Sequence, residues 1–141
     1  MIVYLDTSAL VKLFMDEPAA SAVARLLEEA RTVVTHLITY AEARAALARA
    51  MRVGRIPPAA LVSYRAALEG YWERMERVVV DLVLVKRAGV LAETHGLRGY
   101  DSVHLAAAER VAGHGLALTF ACFDARLSRA AKALGMATFG A

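Results

Sequence analysis

Cysteine is almost absent: the 141 residues hold one, Cys122. That excludes an internal disulfide framework and a cysteine-rich metal site. It agrees with a reducing compartment, and the expected location is the cytoplasm. Long apolar runs are absent too. None approaches the roughly 18 residues that span a bilayer. The most apolar stretch, residues 78–85, is short and is broken by Asp81. The N-terminus has no basic segment ahead of an apolar one and Asp6 interrupts it early, so no secretory signal is expected there. Low-complexity segments, linkers and internal repeats are missing as well. The expectation is one domain over residues 1–141, long enough for a substantial core.

What is present favours helix and a mildly basic surface. Hydrophobic residues make up 58% of the chain, with Ala and Leu prominent. The net charge is +3 and most cations are arginines, which favours phosphate-bearing partners only weakly.

The organising stretch is Ile2-Val3-Tyr4-Leu5 followed by Asp6-Thr7-Ser8. A continuous apolar run is the pattern of a strand buried on both faces. Asp6 then falls at the carboxyl end of a central strand, the edge where open α/β sheets bind ligands. Thr7 or Ser8 is positioned to cap a short helix to about Phe14, and Asp16-Glu17-Pro18 restarts one. Further strands are expected at 32–35, 77–80, 116–120 and 136–139. Helices are expected at about 37–53, 57–75, 81–95, 100–113 and 124–134, with Gly54 a good stop for the first of these. This alternation implies a parallel sheet flanked by helices on both sides. Strand order is not readable at this level.

If the sheet is parallel, Asp6, Glu42 and Asp124 arrive at one edge, because each follows a strand. Asp101 joins them if its helix starts there. All but Asp124 lie among apolar neighbours, where a lone carboxylate is costly and needs a partner. A hard divalent cation is such a partner, and the chemistry it suggests is phosphodiester hydrolysis. Taken singly, Asp6, Asp101 and Asp124 also read as helix N-caps and Glu42 as an exposed helix residue. His104 lies one turn after Asp101, so a zinc pair stands beside the commoner packed or hydrogen-bonded histidine. His36, His95 and His114 show no ligand spacing. Cys122 reads as a small core residue. Tyr64, Tyr71 and Trp72 share a helix face that is either core or a partner surface.

Four stretches together resemble the PIN-domain family, and within it the VapC-type toxins of toxin–antitoxin pairs. They are residues 2–11, Glu42 between Ala41 and Ala43, Tyr100-Asp101-Ser102-Val103-His104-Leu105-Ala106, and Phe123-Asp124-Ala125-Arg126-Leu127. The resemblance runs in order along nearly the whole chain. It implies a three-layer α/β fold and a metal-dependent endoribonuclease. Asp6, Glu42, Asp101 and Asp124 would hold Mg²⁺ or Mn²⁺, with Ser8 as a polar neighbour of Asp6. It also implies an RNA substrate, a homodimer and a small antitoxin whose tail covers the site. One departure stands out: many relatives carry Thr or Ser two residues before the last acid, where this chain has Cys122. Arg44, Arg98 and Arg126 are candidates for attracting the RNA backbone. The alternatives are a nucleic-acid binding module with a vestigial site, a phosphatase-like enzyme using Asp6 as nucleophile, and a purely structural interaction protein.

Overall fold

The computed structural model describes residues 1–15, 17–113 and 115–141. The expectations that fall on Asp16 and His114 therefore lie outside the described residues. Element order is β1 (Ile2–Leu5), α1 (Thr7–Met15), α2 (Glu17–Glu29), β2 (Thr32–His36), α3 (Ile38–Arg52) and α4 (Pro58–Arg74). Then follow β3 (Glu76–Val78), α5 (Leu82–His95), α6 (Gly99–Ala112), β4 (Leu118–Cys122), α7 (Ala125–Ala133) and β5 (Ala137–Gly140). The strands form one five-stranded sheet in the order β3-β2-β1-β4-β5, and every pairing is parallel.

The apolar run at 2–5 does become the central strand, buried along its whole length. Side chains alternate across a sheet, and β1 divides the core accordingly. Ile2 and Tyr4 pack under α5, α6 and α7, with Leu84, Leu105, Phe120 and Leu127 among their cluster. Val3 and Leu5 face the other layer, with Leu10, Val23, Ala43 and Leu68. Helices on both faces are what make an uninterrupted hydrophobic strand stable.

The boundaries of β2 to β5 shift from the sequence expectation, most at β3 and β4. β3 ends at Val78, and Val79 and Val80 are exposed. β4 starts at Leu118 because it pairs in register with β1 (Ile2 opposite Leu118, Leu5 opposite Ala121), which leaves Leu116 exposed. Pairing register, rather than the apolar run, sets both limits. The capping roles differ as well. Neither Thr7 nor Ser8 caps α1; the Asp6 carbonyl accepts from the amides of Ala9 and Leu10 and so opens that helix. Asp101 lies inside the first turn of α6, whose N-cap is Arg98. Asp81 and Asp124 do act as caps, accepting from the amides of Leu84 and Leu127. On α4, Leu68 is core, and Tyr64 and Tyr71 pack on Phe14 while Trp72 packs on Tyr40.

β1 has β2 on one side and β4 on the other, so the chain reverses its direction of growth across β1. The crevice at the carboxyl ends of such strands is where ligands bind in open α/β sheets. Two devices hold this edge shut on itself. Thr35, buried at the end of β2, donates to the Leu5 carbonyl at 2.7 Å and shares a 2.7 Å hydrogen bond with Thr39. On the far side Gly140, at φ +112°, lets β5 press on β4; a Cβ there would stand 2.2 Å from the Cys122 carbonyl oxygen.

Candidate active site

All four carboxylates reach the carboxyl edge of the sheet, and they do so as two pairs. Asp6 leaves β1 nearly buried, at 4% exposure. Its amide donates to the Ala121 carbonyl at 3.1 Å, which ties it to β4. Its Oδ2 accepts the Ser8 hydroxyl at 2.7 Å. The same Ser8 oxygen accepts the Phe123 amide at 2.9 Å. Ser8 thus joins the end of β1 to the segment that leaves β4.

Glu42 comes from α3, early enough in that helix to reach the end of β1. Its Oε1 accepts the Thr7 hydroxyl at 2.7 Å and lies 2.6 Å from His104 Nε2. The same Nε2 stands 3.6 Å from Asp6 Oδ1. His104 therefore bridges the inner pair, Asp6 and Glu42. Burial pushes the Glu42 pKa up, but the His104 and Thr7 hydrogen bonds and the histidine charges outweigh it and leave the carboxyl below its ordinary range. For His104 the balance runs the same way. Burial lowers its pKa, and the Glu42 hydrogen bond with the charges of Asp6, Glu42 and Asp101 raises it above the usual value. Both ring nitrogens are engaged, one by Glu42 and one by Tyr4, which is the hydrogen-bonded role and not a zinc pair with Asp101.

The outer pair is Asp101 and Asp124. Arg98 donates from Nε to Asp101 Oδ2 at 3.0 Å, and its Nη2 lies 3.5 Å from Asp124 Oδ2. Gly96 in the left-handed conformation (φ +63°) turns the chain out of α5 toward Arg98. The Asp101 carboxyl sits above its ordinary range: burial disfavours its charge and Asp6 and Asp124 repel it, against the pull of Arg98. An open cleft of about 470 Å³ lies here, lined by Arg98, Asp101, Asp124, Ala125, Arg126 and Arg129. Arg129 was not singled out from the sequence; it follows Arg126 by three residues on α7, the spacing that puts two side chains on one helix face. Arg44 is elsewhere, hydrogen-bonded to Tyr40 at 2.8 Å. A second cavity, of about 460 Å³, opens at the opposite edge of the sheet between Arg31, Tyr71 and Arg74 and holds none of these acids.

Cys122 takes the place next to Ser8 and Asp124. Its sulfur accepts the Asp124 amide at 3.2 Å and lies 3.8 Å from the Ser8 hydroxyl. Burial and the Asp6 charge push its pKa up to about 12, so it stays a thiol. The hydroxyl beside residue 122 is that of Ser8, in the first turn of α1. His36, at the end of β2, accepts the Ile38 amide through Nδ1 at 3.0 Å. Its Nε2 is buried with no hydrogen-bond partner among the described residues. Burial and the neighbouring His104 charge lower its pKa to about 4.

The oxygen donors gathered here suit a hard divalent cation, and the like-charge crowding on Asp101 is the kind a cation relieves. Among the described residues, no three His, Cys, Asp or Glu side chains close on a common point. The carboxylates are instead held by His104, Arg98 and two hydroxyls. Among the described residues, too, no helix is long and apolar enough to cross a membrane.

Comparison with known proteins agrees with the fold. The family model described as "PIN domain" matches residues 3–133. The chain is 36% identical over 134 residues to Ribonuclease VapC45 of Mycobacterium tuberculosis, covering 95% of this chain and 92% of that one. In fold it is similar to a FitAcB structure from Neisseria gonorrhoeae, with a TM-score of 0.67, 22% identity and coverage of 99% and 97%. It is also similar to VapBC2 of Rickettsia felis bound to a DNA fragment from their promoter, with a TM-score of 0.67, 14% identity and coverage of 100% and 99%.

Proposed function

This chain belongs to the PIN-domain family, and from that premise we propose that it is a metal-dependent endoribonuclease, the toxin of a VapBC-type toxin–antitoxin pair. The observation that carries the proposal is the arrival of Asp6, Glu42, Asp101 and Asp124 at one sheet edge, beside a cleft lined by Arg98, Arg126 and Arg129. Asp6, Glu42, Asp101 and Asp124 would hold Mg²⁺ or Mn²⁺. When bound, such an ion supplies a water of lowered pKa and positive charge against the scissile phosphate. The rest is done by this chain. Ser8 holds Asp6 through Oδ2, Thr7 and His104 hold Glu42 through Oε1, and the arginines of the cleft attract a phosphodiester backbone.

The protein would act in the cytoplasm as one domain, with a small antitoxin as partner and a second copy of itself as dimer mate. Val79, Val80, Leu82 and Val83 are exposed on either side of Asp81 where β3 leads into α5, apolar surface of the kind that a partner chain covers. Light scattering of the purified chain tests the dimer.

The test of function is cleavage of a mixed cellular RNA pool with Mg²⁺, Mn²⁺ or chelator, beside Asp6→Asn. Metal-dependent fragments should appear with the wild type and vanish in the variant, whose unfolding transition stays close to wild type. Full activity in metal-loaded Asp6→Asn defeats the proposal. A second reading, a nucleic-acid binding module with a vestigial site, is favoured by one observation: Arg98 already neutralises Asp101 and Asp124. Calorimetric Mn²⁺ titration separates the two, since a vestigial site binds no metal below millimolar concentration.

A further inference from the structure

We propose that His104 is a positioning residue that holds Glu42 at the end of β1, with its ring anchored from the core side by Tyr4. The inference rests on the metal-site reading above and concerns a buried support behind it. The His104 side chain is 1% exposed, so water does not set its hydrogen bonds. Nε2 faces Glu42 Oε1 at 2.6 Å, and a carboxylate oxygen only accepts, so Nε2 carries hydrogen. The other ring nitrogen, Nδ1, is hydrogen-bonded to the Tyr4 hydroxyl at 2.9 Å. Tyr4 is itself fully buried on β1 and stacked on Phe120, with ring centroids 5.4 Å apart and planes 2° from parallel. The ring is thereby held at both ends, by Tyr4 at Nδ1 and by Glu42 at Nε2.

The Thr7 hydroxyl donates to the same Glu42 oxygen at 2.7 Å. Both donors fall on Oε1, and among the described residues no donor reaches Oε2. One oxygen anchors the side chain while the other stays available to a ligand. A histidine that only filled space would need neither the paired nitrogens nor the buried phenol. Partners that orient a ligating side chain from behind contribute about 10–100-fold in metal affinity.

The experiment uses the full chain with His104→Gln, His104→Leu and Tyr4→Phe. Gln keeps an N–H donor near the Nε2 position, Leu removes it, and Phe keeps the stack on Phe120 while removing the hydroxyl. Mn²⁺ affinity is measured by calorimetry, the His104 tautomer by ¹⁵N NMR, and folding by thermal unfolding. The wild type should show hydrogen on Nε2. Leu should weaken Mn²⁺ binding about 10–100-fold, Gln should recover most of it, and Phe should keep hydrogen on Nε2 and weaken binding less than Leu. If Leu binds Mn²⁺ as the wild type does, or if folded Gln is as weak as Leu, or if Phe weakens binding as much as Leu, the proposal is overturned. If His104→Leu does not fold, Gln against Phe carries the comparison. If the wild type binds no Mn²⁺, the nuclease reading fails, and hydrogen on Nε2 of the wild type alone decides whether His104 donates to Glu42.

Discussion

The two halves of the acidic cluster are held in opposite ways. Asp6 and Glu42 are bridged by a histidine at 1% exposure, backed by a phenol in the core and by Thr7. Asp101 and Asp124 are bridged by Arg98, whose side chain is 79% exposed. The inner half is a property of the packed fold, since its bridge cannot move without opening the layer around Phe120. The outer half is a surface ion pair, in which solvent and salt compete with every contact. Rigidity at one end and exchange at the other suit a site that must keep its shape while something enters it.

The widest separation between the halves should appear in RNA cleavage by Glu42→Gln and Asp124→Asn. Glu42→Gln should lose more than about a hundredfold, beyond what outer partners of a ligand contribute, and Asp124→Asn about tenfold. Asn at 124 still accepts the Leu127 amide through its carbonyl oxygen, so the start of α7 survives. Equal losses, measured as initial rates at saturating Mn²⁺, would erase the distinction.

The next effect concerns stability beneath the inner half. His36 is held neutral, with a pKa near 4 in the folded chain against about 6.5 when unfolded. The unfolded state therefore binds more protons between those values. The stability is full above about pH 6.5 and is lost as pH falls toward 4, by on the order of 3 kcal/mol. His36→Asn keeps an acceptor for the Ile38 amide and does not titrate. Denaturant unfolding at pH 7 and pH 4 should show the wild type losing that much more than the variant; parallel losses would mean that burial leaves His36 unperturbed.

The smallest effect belongs to the outer bridge. Arg98→Gln should tighten Mn²⁺ binding by about two- to fivefold, the size of an exposed ion pair, and the gain should fade as salt is raised. Weaker binding in the variant would show that Arg98 assists the site rather than competing with an entering cation.

The acids were legible because they sit at points where the pattern changes. Asp6 ends a continuous apolar run, and strand–helix alternation sends the residue after each parallel strand to the same edge. Asp101 needed only that α6 start at that edge. The holding residues were not legible in the same way. His104 meets Glu42 through the packing of α6 against the layer that ends β1, and no periodicity within either helix encodes that meeting. Arg98 was legible as a candidate for the RNA backbone, but not as the bridge between Asp101 and Asp124, which belong to different elements. The contact of Cys122 with Ser8 was hidden too, because it exists only once β1 and β4 are neighbours. Strand limits shifted for the same reason: register with β1, not local hydrophobicity, decides where β4 begins.

The pairing of β1 with β4 also gives the molecule a timetable. Asp6 is made well before the backbone group that receives its amide, the Ala121 carbonyl. Contacts between such distant segments form late, because the loop between them must close first. During synthesis β1 waits beside β2 with one flank bare. The acidic edge is completed only once β4 and Asp124 have emerged, so a nascent chain cannot act before then.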